Sequence, residues 1–202
     1  MAYASWVTPN KTQGSGNDTV SWSGDPHTGR TARQTTASFN ASGVESKTLT
    51  IIQAGKTEFV AMDDTATVAK TGGTVTISGT SNSSKLTFSK TGTDNIGLTL
   101  PTTYTANSVQ TNNGAAISGD PGAGQQFAFS ITFTGIGENT GTSSRTAQIT
   151  VTDNAGHTDT CTVTQTAGSP ALSISPTTIN LTAAGVADSA VTVTSNTSWT
   201  IS

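Results

Sequence analysis

The sequence predicts an all-β protein made of tandem immunoglobulin-like antiparallel β-sandwiches, with no substantial helix. Three observations carry that expectation. Threonine supplies 43 of the 202 residues, and a β-branched side chain suits the pleated, half-solvated surface of a sheet better than a helix. Apolar and polar residues alternate with period two through most of the middle of the chain, as a strand with one buried face requires. Similar segments also recur at a fixed spacing, the mark of repeated modules.

The clearest recurrence places 28–53, TGRTARQTTASFNASGVESKTLTIIQ, over 140–165, TGTSSRTAQITVTDNAGHTDTCTVTQ, at a constant offset of 112. The Thr-Gly start, Arg33 with Arg145, Thr48 with Thr160, Thr50 with Thr162 and Gln53 with Gln165 all coincide. Upstream, 20–24 (VSWSG) matches 131–135 (ITFTG). A second similarity joins 191–202, VTVTSNTSWTIS, to 75–89, VTISGTSNSSKLTFS, with an insertion near Lys85. Residues 1–57 therefore read as the back half of a sandwich and 58–168 as a complete one. Residues 171–202 read as a front half.

Within the complete unit each strand is justified by its own alternation. Val75/Ile77, Leu86/Phe88, Leu98/Leu100, Phe127/Phe129/Ile131/Phe133, Ala147/Ile149/Val151 and Cys161/Val163/Gln165 each place one face inward. Turns are expected at 119–122 (GDPG), 135–137 (GIG) and 153–156 (DNAG). Short strands punctuated at this spacing point to the immunoglobulin type. Residues 102–126 lack the pattern and read as a long surface loop or an extra hairpin.

Composition narrows the function. Nine basic and twelve acidic residues give a net charge of −3, with no electrostatic footprint for nucleic acid. No window approaches the roughly 18 apolar residues of a membrane-spanning helix. One Cys and two His supply neither an internal disulfide nor a structural metal set, so neither cofactor nor metal is expected. Cys161 lies in an alternating run and is expected in the core. The start, MAYASW, shows neither a basic nor an apolar export region.

The Ser195-Asn196-Thr197-Ser198-Trp199 element, and Arg33 or Arg145 followed by a threonine-rich strand ending Gln53-Ala54-Gly55 or Gln165-Thr166-Ala167-Gly168, resemble the BACON domain. That family is an immunoglobulin-like sandwich of Bacteroidetes proteins and of virion proteins of crAss-like phages. The middle unit departs from it, with Lys85-Leu86 in place of the Trp. The resemblance implies no catalytic residues. It implies a non-enzymatic structural protein of a tailed-phage virion, of capsid-decorating or head-fibre type, acting by β-domain docking or strand exchange. Its partners would be capsid or other virion proteins and further copies of itself, and its location the virion, assembled in the host cytoplasm. The alternative is a carbohydrate-binding module of a Bacteroidetes surface protein.

The remaining candidates are weighed one by one. Asp63-Asp64 is an isolated carboxylate pair and reads as a solvated turn, and His27 and His157 sit in turns near the surface. Trp22 alternates with Val20, and Trp199 follows the family's core position, so both are expected in a core. Trp6 stands in a similar Ser-Trp element. A glycan contact would then fall to Tyr104, with Asn107, Asn112 and Asn113 around it. Arg33 and Arg145 are expected to tie a strand end to a carbonyl or carboxylate. Gln53 and Gln165, following Leu49/Ile51 and Cys161/Val163, point inward and should satisfy buried backbone groups. The Asn-x-Ser/Thr triplets at Asn17, Asn40, Asn82, Asn180 and Asn196 are incidental in a chain so rich in Ser and Thr.

The two terminal halves together have the size of one small sandwich. Each alone would leave sheet edges and an apolar face in water. Further chain could complete them, or they could complement each other within one chain or between chains.

Overall fold

The computed structural model describes residues 3–185 and 190–202. Among these residues the regular structure is all β. Strands β1 (Val7–Pro9) and β2 (Trp22–Gly24) pair with each other, and β3 (Arg33–Phe39) and β4 (Lys47–Gln53) form a hairpin. Then follow β5 (Val60–Met62), β6 (Thr65–Val68), β7 (Gly73–Ser81), β8 (Leu86–Thr91), β9 (Thr103–Ala106), β10 (Val109–Asn112), β11 (Phe127–Ile136), β12 (Arg145–Asp153) and β13 (Thr158–Gln165). A last pair, β14 (Leu172–Ser175) and β15 (Thr192–Ser195), stands apart from these sheets.

Strands β5 to β13 make an immunoglobulin-like sandwich. One sheet has the order β10-β9-β11-β7-β5 and the other β6-β13-β12-β8. Alternation in β7, β8, β11, β12 and β13 brings Ile77, Leu86, Phe88, Ile131, Phe133, Ile149, Val151 and Val163 into one core. Each such side chain contributes about 1.5–3 kcal/mol on burial. Threonine covers the outside of the second sheet, where Thr91, Thr150 and Thr160 form a hydroxyl chain across three strands at 2.8 and 3.0 Å.

Consecutive strands β5 and β6 lie in opposite sheets, and the chain crosses between them at Asp63-Asp64. Asp63 N donates to the Ser78 carbonyl at 2.9 Å, its carboxylate accepts the Ser78 N–H at 3.0 Å, and Thr162 N donates to the Asp64 carbonyl. Both aspartates are exposed, and the pair fastens the strand switch. Strand β6 then runs parallel to β13, from Thr65↔Thr162 to Val68↔Gln165.

Two expectations change, and the open reading of 102–126 resolves to its hairpin alternative. Leu98/Leu100 is not a strand, because Asp94 captures the backbone N–H groups of Ile96, Gly97 and Leu98 and so competes with a ladder. Leu98 is nonetheless buried. Gly135, at φ 69°, sits where the β11–β7 register shifts between Phe133 and Ile136. It makes a bulge rather than a turn. Residues 102–126 contain the β9–β10 hairpin, closed by Asn107 and Ser108 at φ 48° and 64°, the left-handed pair of a tight hairpin turn.

Candidate interaction interface

The offset of 112 seen in the sequence extends through the backbone. Hairpin β3–β4 has the register of β12–β13 pair for pair, from Arg33↔Gln53 and Arg145↔Gln165 to Phe39↔Lys47 and Val151↔Asp159. Before each hairpin a short loop is closed in the same way. Asn139 Nδ2 donates to the Ser143 carbonyl and Asn139 Oδ1 accepts the Gly141 N–H. His27 Nε2 bonds the Thr31 carbonyl at 2.7 Å while its Nδ1 accepts the Gly29 N–H at 3.4 Å. The imidazole of His27 thus stands in for the amide of Asn139.

After each hairpin the chain is clamped alike. Lys56 N donates to Gly29 O at 2.8 Å, and Gly168 N donates to Gly141 O at 2.7 Å. The next front half begins with a repeated set of asparagine bonds. Asn82 Oδ1 accepts from Phe59 N and its Nδ2 donates to Thr57 O. Asn196 Oδ1 accepts from Ala171 N and its Nδ2 donates to Ser169 O. Ser81 Oγ donates to Phe59 O, as Ser195 Oγ does to Ala171 O. Pairing of β14 with β15 likewise repeats that of β5 with β7: Leu172↔Ser195 matches Val60↔Ser81. Residues 27–62 and 139–174 are therefore one structural repeat, each leading from a back half through a joint into a front half.

The first joint carries an additional charge cluster. Arg30 grips Asp120 with both guanidinium ends at 2.6 and 2.9 Å, donates to Asn82 O at 2.6 Å, and pairs with buried Glu58 at 2.6 Å. The Arg30 hydrogen bond holds the Asp120 carboxyl below its ordinary range, and Asp120 in turn raises Arg30. Ser83 Oγ completes the cluster by donating to Glu58.

Beyond the joints, the apolar positions have opposite fates. Val151 and Cys161 are 0% exposed in the complete sandwich, whereas Phe39 and Leu49, their equivalents, are 45% and 37% exposed. Leu86 and Phe88 are sealed, whereas Trp199 and Ile201, which match them in sequence, are 47% and 87% exposed. Leu172, Ile174 and Leu181 are exposed too. Between β2 and β3 lies a cleft of about 530 Å³ bordered by Tyr3, Trp22, Ala37 and Phe39.

The side chains singled out from sequence divide accordingly. Gln165 is buried, and its Nε2 donates to Gly137 O at 2.7 Å. Gln53 is half-buried, accepting from Arg33 Nε at 2.8 Å and donating to Asp25 O at 2.9 Å. Arg33 also donates to Asp25 O and lies 4.4 Å from the centroid of Trp6. Arg145, opposite Gln165 in the ladder, makes no such side-chain tie among the described residues. Trp22 is half-buried and meets Tyr3 edge-on at 5.2 Å. Trp199 is not in a core, because β14–β15 lacks an opposing sheet among the described residues.

The glycan contact is not assembled. Tyr104 is 3% exposed and packs on Phe88 at 5.0 Å. Asn113 accepts from Phe88 N and donates to Phe88 O, and Asn107 serves the hairpin turn with a bond to Gly119 O. Asn112 is exposed on β10, but no aromatic platform accompanies it. Sequence reasoning missed the joint residues Arg30, Asn82, Asn139 and Asn196. The signal was faint: 54–62 and 166–174 share almost no identities, and two of these asparagines looked like chance triplets.

No family model and no curated protein matches the chain. Among solved structures it is similar to an endo-fucoidan hydrolase from glycoside hydrolase family 107, with 15% identity over 83% of this chain and a TM-score of 0.23. The chain spans 22% of that structure's length. At that TM-score no property of the hydrolase is carried over.

Proposed function

We propose that this protein is a non-enzymatic structural component of a tailed-phage particle, of capsid-decorating or head-fibre type, that works by docking β-domains. The observation that carries the reading is the repeated joint. Polar side chains of the kind an enzyme would gather in a pocket serve here to fix one β-unit on the next: Asn82 and Asn196 as backbone clamps, His27 and Asn139 as loop closures, Arg30 with Asp120 as a brace. A tandem array of stiffly joined sandwiches presents surface at defined spacing, which suits a fibre or a decorating protein. The BACON-like Ser-Asn-Thr-Ser-Trp and Gln-Gly elements direct the reading to virion proteins of Bacteroides phages. Quantitative mass spectrometry of purified particles tests it. The expected result is a fixed copy number relative to the major capsid protein, retained after stringent washing. Loss from particles on density-gradient purification would refute it.

A further inference from the structure

We propose that β14, β15 and residues 196–202 of one copy complete the half-sandwich formed by residues 3–57 of a second copy, building a head-to-tail chain of protomers. The inference rests on the joints and the open faces and not on the virion reading.

The complete sandwich shows how a front half fits a back half. There β8 pairs antiparallel with β12, placing Phe88 opposite Val151, and β6 pairs parallel with β13, placing Val68 opposite Gln165. Ile201 corresponds to Phe88 and Phe39 to Val151, so the same fit sets Ile201 opposite Phe39. Gly185 repeats Gly72, each at positive φ and each bonded back three residues, to Thr182 O and Ala69 O. Leu181 therefore takes the place of Val68, beside Gln53. The residues left exposed at the two ends are thus the two sides of one missing interface. The register of that interface is defined by this chain's own repeat.

Placement of the halves favours a second copy over closure within one chain. The first joint, at Arg30 and Asn82, adjoins the Ser81 end of β7. The second, at Gly141 and Gly168, adjoins the Gly73 end, where Asn139 N donates to Lys70 O. Strand β7 has nine residues and, at about 3.3 Å per residue, holds the joints about 30 Å apart. The terminal halves leave opposite ends of the sandwich, and no strand of one pairs with a strand of the other among the described residues. A heterologous contact of this kind propagates into a filament or closes into a ring, with strand addition as its means.

Two full-length variants test the proposal. Ile201→Asp spoils the donor face and Phe39→Asp the acceptor face, and both sites are solvent-exposed in the single chain. Sedimentation should find the unmodified chain as multiples of 20.4 kDa and each variant alone as a monomer. Their equimolar mixture should give a 1:1 dimer and nothing larger, because one good interface remains per pair. A monomeric unmodified chain, assembly by either variant alone, or a monomeric mixture would each overturn the proposal. A monomeric unmodified chain whose β3–β4 amides are protected, with that protection lost on Ile201→Asp, would instead assign the contact to closure within one chain. Should an aspartate disturb folding, Phe39→Cys and Ile201→Cys chains mixed under oxidation decide the matter, since directly opposed antiparallel residues lie within disulfide range. Cys161 is buried and does not compete. A crosslinked heterodimer supports the contact, and its absence refutes it.

Discussion

Gln53 and Gln165 hold the same register position, each opposite an arginine, yet only Gln165 is sealed from solvent. The amide of Gln165 reaches across to the carbonyl of Gly137, on the stretch that follows β11 in the other sheet. Gln53 has instead Asp25, just past β2, and the guanidinium of Arg33. One residue type thus performs the same inter-segment tie in a closed core and in an open one.

Gln165→Leu should destabilise the protein by about 1–3 kcal/mol, through loss of the fully buried amide's bond to the Gly137 carbonyl. Gln53→Leu should cost less, because Gln53 is itself only half-buried. Urea denaturation of the two variants, with equal slopes, is the comparison to make.

His27→Asn should be nearly neutral, since asparagine makes the equivalent pair of bonds at position 139. His27→Ala should loosen the loop. Amide exchange at Gly29 distinguishes them, with fast exchange expected only in the alanine variant.

The Arg30–Asp120 brace gives a pH dependence of definite sign. The Asp120 carboxyl titrates lower folded than unfolded, where its ordinary value is 3.8. Its contribution is therefore complete well above that value and is lost as the pH falls through the folded one. Amide protection around Gly122 and Lys56 should be flat from about pH 5 to 7 and drop below about pH 4. Asp120→Asn should lower the plateau and flatten the drop.

Burial, followed by the nearby Asp63, Asp64 and Asp159 charges, pushes the Cys161 thiol up to about 11. The native thiol is then neutral at pH 8 and shielded, and should resist a disulfide-exchange reagent until the sandwich opens. Because the folded value is raised, stability should hold below the ordinary thiol range and decline as pH climbs through it towards 11. Reaction kinetics with and without denaturant measure the first effect, and melts at rising pH the second.

Tyr104→Ala should behave as a core deletion, costing about 3–5 kcal/mol as large aromatic truncations do. A surface platform would lose less than about 0.5 kcal/mol. Thermal unfolding decides between them.

Much of this fold was legible because period-two alternation is a local signal: β7, β8, β11, β12 and β13 all appear where Val75, Leu86, Phe127, Ala147 and Cys161 begin their runs. Leu98/Leu100 misled because two apolar residues at the right spacing fit a buried loop as well as a strand, and Asp94 decides the matter from four residues away. Tyr104 misled because its hairpin is short and polar, so its packing on Phe88 depends on a pairing with β11 that no local pattern announces. The hairpin repeat was visible through identities such as Arg33/Arg145. The joint was not, because its asparagine clamps land on backbone groups of 54–62 and 166–174, where the two repeats share almost no identities.

The parallel pairing of β6 with β13 has a mechanical consequence. Tension applied through the two joints pulls β6 toward one end of the sandwich and β13 toward the other, along the strand axes. The four residue pairs from Thr65↔Thr162 to Val68↔Gln165 then bear load together in shear, rather than peeling apart one at a time. Resistance to pulling is set by the unfolding barrier and not by equilibrium stability. Such a module stretched in series would therefore hold its length under force even where its net stability is modest.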